Sequence, residues 1–186
     1  YVGNSPGVTS DITVSTVAGQ TPVAPGDRVS DEVRGDRRVA RFVSKQPILA
    51  FFSIQSADYE VTRRVHNGTT LEIYHHPNHD FNVERMLDAM EVSLDYYEAN
   101  FGPYQFDYAR IIEFPGYASF AQAFAGTIPY SEDMGFIADN GDAESIDYVT
   151  YVTAHELGHQ YWAHQLISSD QQGGTMLVET MAQYSA

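Results

Sequence analysis

His155-Glu156-Leu157-Gly158-His159 is the stretch on which the reading of this chain turns. It has the form H-E-x-x-H, and its flanks suit a helix. On a helix, residues i and i+4 share a face about one turn apart. Two imidazoles so placed can reach one Zn²⁺, and the carboxylate beside the first can serve the attacking water. A bare match is only a pattern, so the weight falls on what surrounds it. A catalytic zinc takes three protein ligands and leaves one position open. The third is expected on a following helix packed across the first, and Glu179 is the only carboxylate after Asp170. His155, His159 and Glu179 then make a His₂Glu shell, with Glu156 as general base. His164 falls half a turn out of phase with His155 on a straight helix. It reads as a surface residue or a neighbour of the site, not a ligand.

Outward from the motif, Ile146, Val149, Val152, Thr153 and Leu157 give its helix a core face. The helix is expected to start near Glu144 or Ser145, after a turn at Asn140-Gly141, and to run to about Ile167. Ser168–Gly174 is a polar loop, and Thr175 can cap a third helix carrying Glu179. Upstream, Val83, Met86, Leu87, Met90, Leu94, Tyr97 and Phe101 form one helical stripe. Asp80 or Asn82 can cap it, and Gly102-Pro103 ends it. Between the two helices, Ala109–Phe114 reads as a buried strand and Met134–Ala138 as a short one. Ala118–Ala125 reads as a strand or a loop.

Residues 1–76 read as β structure. Asp11–Val17, Arg38–Val43, Ile48–Ile54, Tyr59–Val65 and Leu71–Tyr74 are the expected strands, with loops over 19–29 and 30–37. Asn67-Gly68 is a strong hairpin signal, since a type I′ turn needs positive φ at both central positions. Asn67-Gly68-Thr69 is also a glycosylation sequon, which the turn explains without sugar. His75, His76 and His79 cluster where the pattern changes from period 2 to period 3.6. They read as a hairpin end entering a helix cap rather than as a second metal site. The expected division is 1–76 and 77–186, and the expected class is α+β.

Composition sets limits on function. Hydrophobic residues make up 43% of the chain and aromatics 13%, which is globular rather than disordered. Twenty-five acids against 10 bases give a formal charge of −15, which argues against nucleic acid and anionic membrane surfaces. There are no cysteines, so a metal must use histidine and carboxylate. No apolar run is long enough to span a membrane, and Tyr1–Pro6 has no signal-peptide character.

These residues resemble the aminopeptidase N family of zinc peptidases, gluzincins with a thermolysin-like catalytic domain. His155–Trp162 is similar to the family's zinc helix, Leu177–Ala182 to the segment holding its glutamate ligand, and Tyr96–Tyr104 to the helix end before its first catalytic-domain strand. The resemblance implies one Zn²⁺, a peptide substrate, and hydrolysis at the N-terminus. Residues 1–76 would then end the family's N-terminal β domain, and 77–186 would begin its catalytic domain. Ser131–Gly135 stands where the family keeps a Gly-x-Met-Glu-Asn strand, so by position Glu132 would bind the substrate's α-amine. That strand motif is not intact here, and the stretch between His159 and Glu179 is slightly longer than usual. The family's oxyanion-stabilising tyrosine lies well beyond its glutamate ligand, so a chain ending at Ala186 is expected to lack it and to turn over weakly or not at all. Apolar surface left uncovered in this way could pair two copies. Gly126–Glu132 is similar to members fused to bacterial transporter permeases, which implies an extracytoplasmic location and a membrane tether in the full protein. Two other readings stay open: a thermolysin-like endopeptidase, and a non-catalytic domain that binds zinc or peptide for regulation.

Overall fold

The computed structural model describes residues 6–139 and 144–186; the expected Asn140-Gly141 turn lies outside them. The architecture is α+β, with antiparallel sheets first and a mixed sheet with helices after them. Strands β1 (Asp11–Val17), β3 (Asp27–Arg34) and β4 (Arg37–Val43) form an antiparallel sheet in the order β1-β4-β3. Short β2 (Thr21–Val23) pairs with β5 (Gln55–Ala57). The second sheet has the order β6-β7-β8-β9, from β6 (Glu60–His66), β7 (Thr69–His75), β8 (Tyr108–Phe114) and β9 (Thr127–Ser131).

The β6–β7 hairpin turns at Asn67 (φ 49°) and Gly68 (φ 90°), the two positive values that the Asn-Gly pair supplies. From β7 the chain crosses through α1 (Val83–Phe101) to β8, which pairs parallel to β7. β9 adds parallel to β8. The sheet therefore runs unbroken across the expected 76/77 boundary. α1 buries Val83, Met86, Leu87, Met90, Leu94 and Tyr97, the expected stripe, in a core shared with β7, β8 and α2 (Tyr148–Gly158). α3 (Gly174–Ser185) closes over α2.

Several expectations are corrected. Residues 27–34 and 21–23 are strands, not loops. β3 is an edge strand of its sheet, and most of its side chains face solvent, so it carries no hydrophobic alternation. Ile48–Ile54 is not a strand: Ile48 makes one isolated bridge to Val8, and Phe51, Phe52 and Ile54 are exposed. Met134–Ala138 is not a strand either. A π-helical turn spans Glu132–Phe136, and the buried Asn82 amide donates to the carbonyls of Gly135, Phe136 and Ala138. Asn82 is thus committed to that loop and makes no side-chain cap on α1. The neighbouring strand is β9, whose Pro129 disguises it. Ala118–Ala125 makes two antiparallel bridges to β9, Ala121 to Tyr130 and Phe124 to Thr127.

Candidate metal centre

α2 is buried nearly all round, as a helix threaded between α1 and α3 must be. It starts later than expected, capped by Asp147, whose carboxylate accepts from Thr150 N (3.1 Å). It also ends earlier, at Gly158 rather than near Ile167. Beyond it the backbone passes into tight turns, with Tyr161 N bonded to Gly158 O and Leu166 N to Tyr161 O, and with Ala163 at φ 154°. This early end matters for the site. It lets the Trp162 carbonyl turn back and accept from His159 Nδ1 (3.0 Å). The carbonyl only accepts, so Nδ1 carries the proton and Nε2 keeps a bare lone pair, the form that binds a metal.

The expected ligands converge. His155 Nε2 and His159 Nε2 lie 3.2 Å apart, and Glu179 Oε2 lies 3.6 Å from the first and 3.3 Å from the second. Donors about 2.0–2.1 Å from a tetrahedral zinc are about 3.3–3.4 Å from one another. All three edges fall near that value, so the donor set fits the ion. α3 packs on α2 at Gly158, with Ala182 in ordinary van der Waals range of where a Cβ on Gly158 would be. Tyr97 in α1 donates to Ala154 O (2.8 Å) and fixes the other side of α2. The expected Thr175 cap is not used: α3 begins after Gly173, in the left-handed region at φ 89°.

Burial, then the neighbouring His159, lowers the His155 pKa against the pull of Glu179, which keeps the imidazole neutral and able to ligate. Glu156 is buried, and that burial pushes its carboxyl up to about 7 despite the opposing effects of His159 and an Ala123 N–H hydrogen bond. A divalent cation beside it would pull that value down again. Glu179 is the open side of the group, with its side chain 55% exposed.

One contributor escaped sequence reasoning: the Ala123–Gly126 segment that docks on α2 and the turns after it. Gln160, 1% exposed, donates to Phe124 O (3.0 Å) and accepts from Gly126 N (2.9 Å). His164 donates from Nε2 to Ala123 O (3.1 Å). His164 is thus a partly buried neighbour that anchors this segment. The straight-helix phase argument does not apply to it, because the helix has already ended. A Gln directly after the second histidine was the available signal, and its partner was not legible.

Glu132 is not brought into this group. Its Oε1 accepts from Gly116 N (2.7 Å), and its Oε2 is 3.9 Å from His79 Nδ1. His79 in turn donates to the buried Glu113 (2.5 Å), which also accepts from His76 N (2.6 Å). Glu132 begins the π-helical turn at the far end of β9 from Thr127, and the segment docked on the metal helix, Ala123–Gly126, carries no acid. Glu132 is thus not one of the triad's donors, and its carboxylate is engaged by Gly116 and His79. The histidine cluster at 75–79 divides. His75 binds Thr62 and the His76 carbonyl, and His79 joins Glu113 in a hydrogen bond closer than two ligands of one ion would sit.

A scan of the chain against protein-family models finds no match. No helix among the described residues is long and apolar enough to cross a membrane.

Proposed function

We propose that this chain carries the metal-binding site of a zinc-dependent peptide-bond hydrolase. The observation that carries the reading is the triangle of His155, His159 and Glu179 donors, with the side lengths of a zinc tetrahedron, beside a buried Glu156. Zinc, when bound by those three side chains, supplies Lewis acidity for the scissile carbonyl and acidifies water. Glu156 accepts the proton of the attacking water at a carboxylate oxygen and later gives it to the leaving amine. Ala123 N–H orients Glu156, and Trp162 O orients His159.

The expected aminopeptidase specificity rested on Glu132. That residue hydrogen-bonds Gly116 and neighbours His79, with its side chain 29% exposed; an endopeptidase-like site is the second reading. Two measurements test these readings. Metal analysis after zinc loading and gel filtration should give one zinc per chain. It should be lost in His155→Ala and kept in Glu156→Gln; retention in His155→Ala sinks the metal assignment. With metal bound, whatever peptide hydrolysis the chain supports should fall in Glu156→Gln, by up to on the order of 10²–10⁴-fold, the usual contribution of a general base. Strict dependence on a free amine supports the aminopeptidase reading, and comparable cleavage of N-acylated and free-amine peptides supports the endopeptidase one.

A further inference from the structure

Four of the chain's 10 basic side chains, Arg28, Lys45, Arg63 and Arg110, line one open cleft of about 430 Å³. It lies where the starts of β7 and β8 meet β3, and it shares no lining residue with the metal centre. The charges in it do not balance locally. Three guanidiniums converge on Glu72: Arg110 at 2.7 Å, Arg63 at 2.8 Å and Arg28 at 3.8 Å. The next acid, Asp31, is already held by Arg38 through two 2.7 Å hydrogen bonds and stands 3.5 Å from Arg28. Lys45 is paired with Asp27 and Asp107.

Arg28 is left with two distant acids, the Tyr74 hydroxyl, and an Nε that is buried without a hydrogen-bond partner. Aromatic faces help. The Phe42 ring centroid is 5.9 Å from Arg28 and 5.8 Å from Arg110, and Arg110 sits 3.9 Å over Tyr108. Rings stabilise guanidinium but do not cancel its charge. A partly buried surplus of positive charge is costly unless an anion completes it. In a chain of net charge −15 that surplus is local and built by specific side chains.

We propose that this cleft binds a small oxyanion, a phosphate or carboxylate group, between Arg28 and Arg63. Both reach the same oxygen of Glu72, so their forks lie side by side. Planar guanidinium forks match both kinds of oxyanion. Arg63 reaches the open side, with its side chain 48% exposed.

The test is thermal unfolding of the full chain in rising inorganic phosphate, sodium acetate, and sodium chloride at matched ionic strength. Phosphate or acetate should raise the melting temperature beyond chloride, and which of the two does so names the ligand class. Arg63→Gln, at a half-exposed position that leaves the fold intact, should weaken the apparent affinity about tenfold. Arg63→Lys should recover only part of it, since it keeps the charge and loses the fork. Arg34→Gln, an exposed pair with Glu32, is the control and should respond as the parent does. If melting follows ionic strength alone, or if Arg63→Gln responds like Arg34→Gln, the proposal is wrong. Zinc content should stay at the parent level in every one of these variants, since the cleft shares no residue with the metal centre, which keeps the result independent of the hydrolase reading.

Discussion

Two glycines near the metal centre look alike in the sequence and differ in what they hold. Gly126 follows Phe124-Ala125 at φ 65°, and a Cβ there would lie 2.4 Å from the Tyr108 ring. Both the backbone and the space exclude a side chain. Gly158, inside the H-E-x-x-H motif, has no positive φ, and a Cβ would meet its neighbours at 3.4–3.6 Å, ordinary contact. Gly126→Ala should therefore destabilise the fold by about 2–3 kcal/mol, from left-handed strain and overpacking together. Gly158→Ala should be neutral or stabilise it by up to about 1 kcal/mol, because Ala restricts the unfolded chain and favours the helix. Urea unfolding of both variants checks the pair. A loss of more than about 1 kcal/mol in Gly158→Ala would mean that α3 cannot tolerate even ordinary contact there.

At the scale of elements, the loop from Glu132 to Ala138 shows how one side chain can decide a conformation. Strand pairing would give its carbonyls neighbours in a ladder. Instead the Asn82 amide takes three of them from the start of α1. Asn82→Ala should leave buried carbonyls short of donors and cost about 1–3 kcal/mol, with amide exchange accelerating at Gly135–Ala138 before the rest of the sheet. Uniform acceleration would show that the loop does not depend on Asn82. The same case shows why sequence reading stopped where it did. α1, β8 and the β6–β7 hairpin were legible, because each carries its own periodicity or turn chemistry. The convergence of His155, His159 and Glu179 was legible because i, i+4 spacing on a helix puts two imidazoles on one face and Glu179 is the only carboxylate after Asp170. β3 and the Glu132 turn were not, since polar outer strands and side-chain-held loops depend on partners distant in sequence. The early end of α2 was hidden for the same reason. Its apolar pattern continues through Tyr161 and Trp162, but the turns that follow are held by Gln160 and His164 on a segment some forty residues upstream.

For the molecule as a whole, the decisive junction is between the N-terminal strands and the mixed sheet. Arg110, 3% exposed, donates to Glu72 and to the carbonyls of Ala24 and Gly26, while Gly26 N donates to the Tyr108 hydroxyl (2.7 Å). Burial raises the Glu72 carboxyl, but Arg110 and Arg63 outweigh it and hold the pKa below the ordinary 4.5. A carboxyl with a lowered folded pKa contributes stability that is fully present above its unfolded pKa and lost as pH falls through its folded one. Glu72→Gln should cost about 3–5 kcal/mol at neutral pH, because it leaves Arg110 charged and buried. That penalty should start to shrink once pH drops below about 4.5, as the parent's own Glu72 takes up its proton. Asp31, held low chiefly by Arg38, adds a second loss over a similar acid range, starting from its ordinary 3.8. Denaturant unfolding of parent and Glu72→Gln from neutral pH down to about pH 3 measures the gap directly. A gap that stays constant across that range would mean that Glu72 acts by shape and not by charge, and that the N-terminal strands are held by their backbone contacts alone.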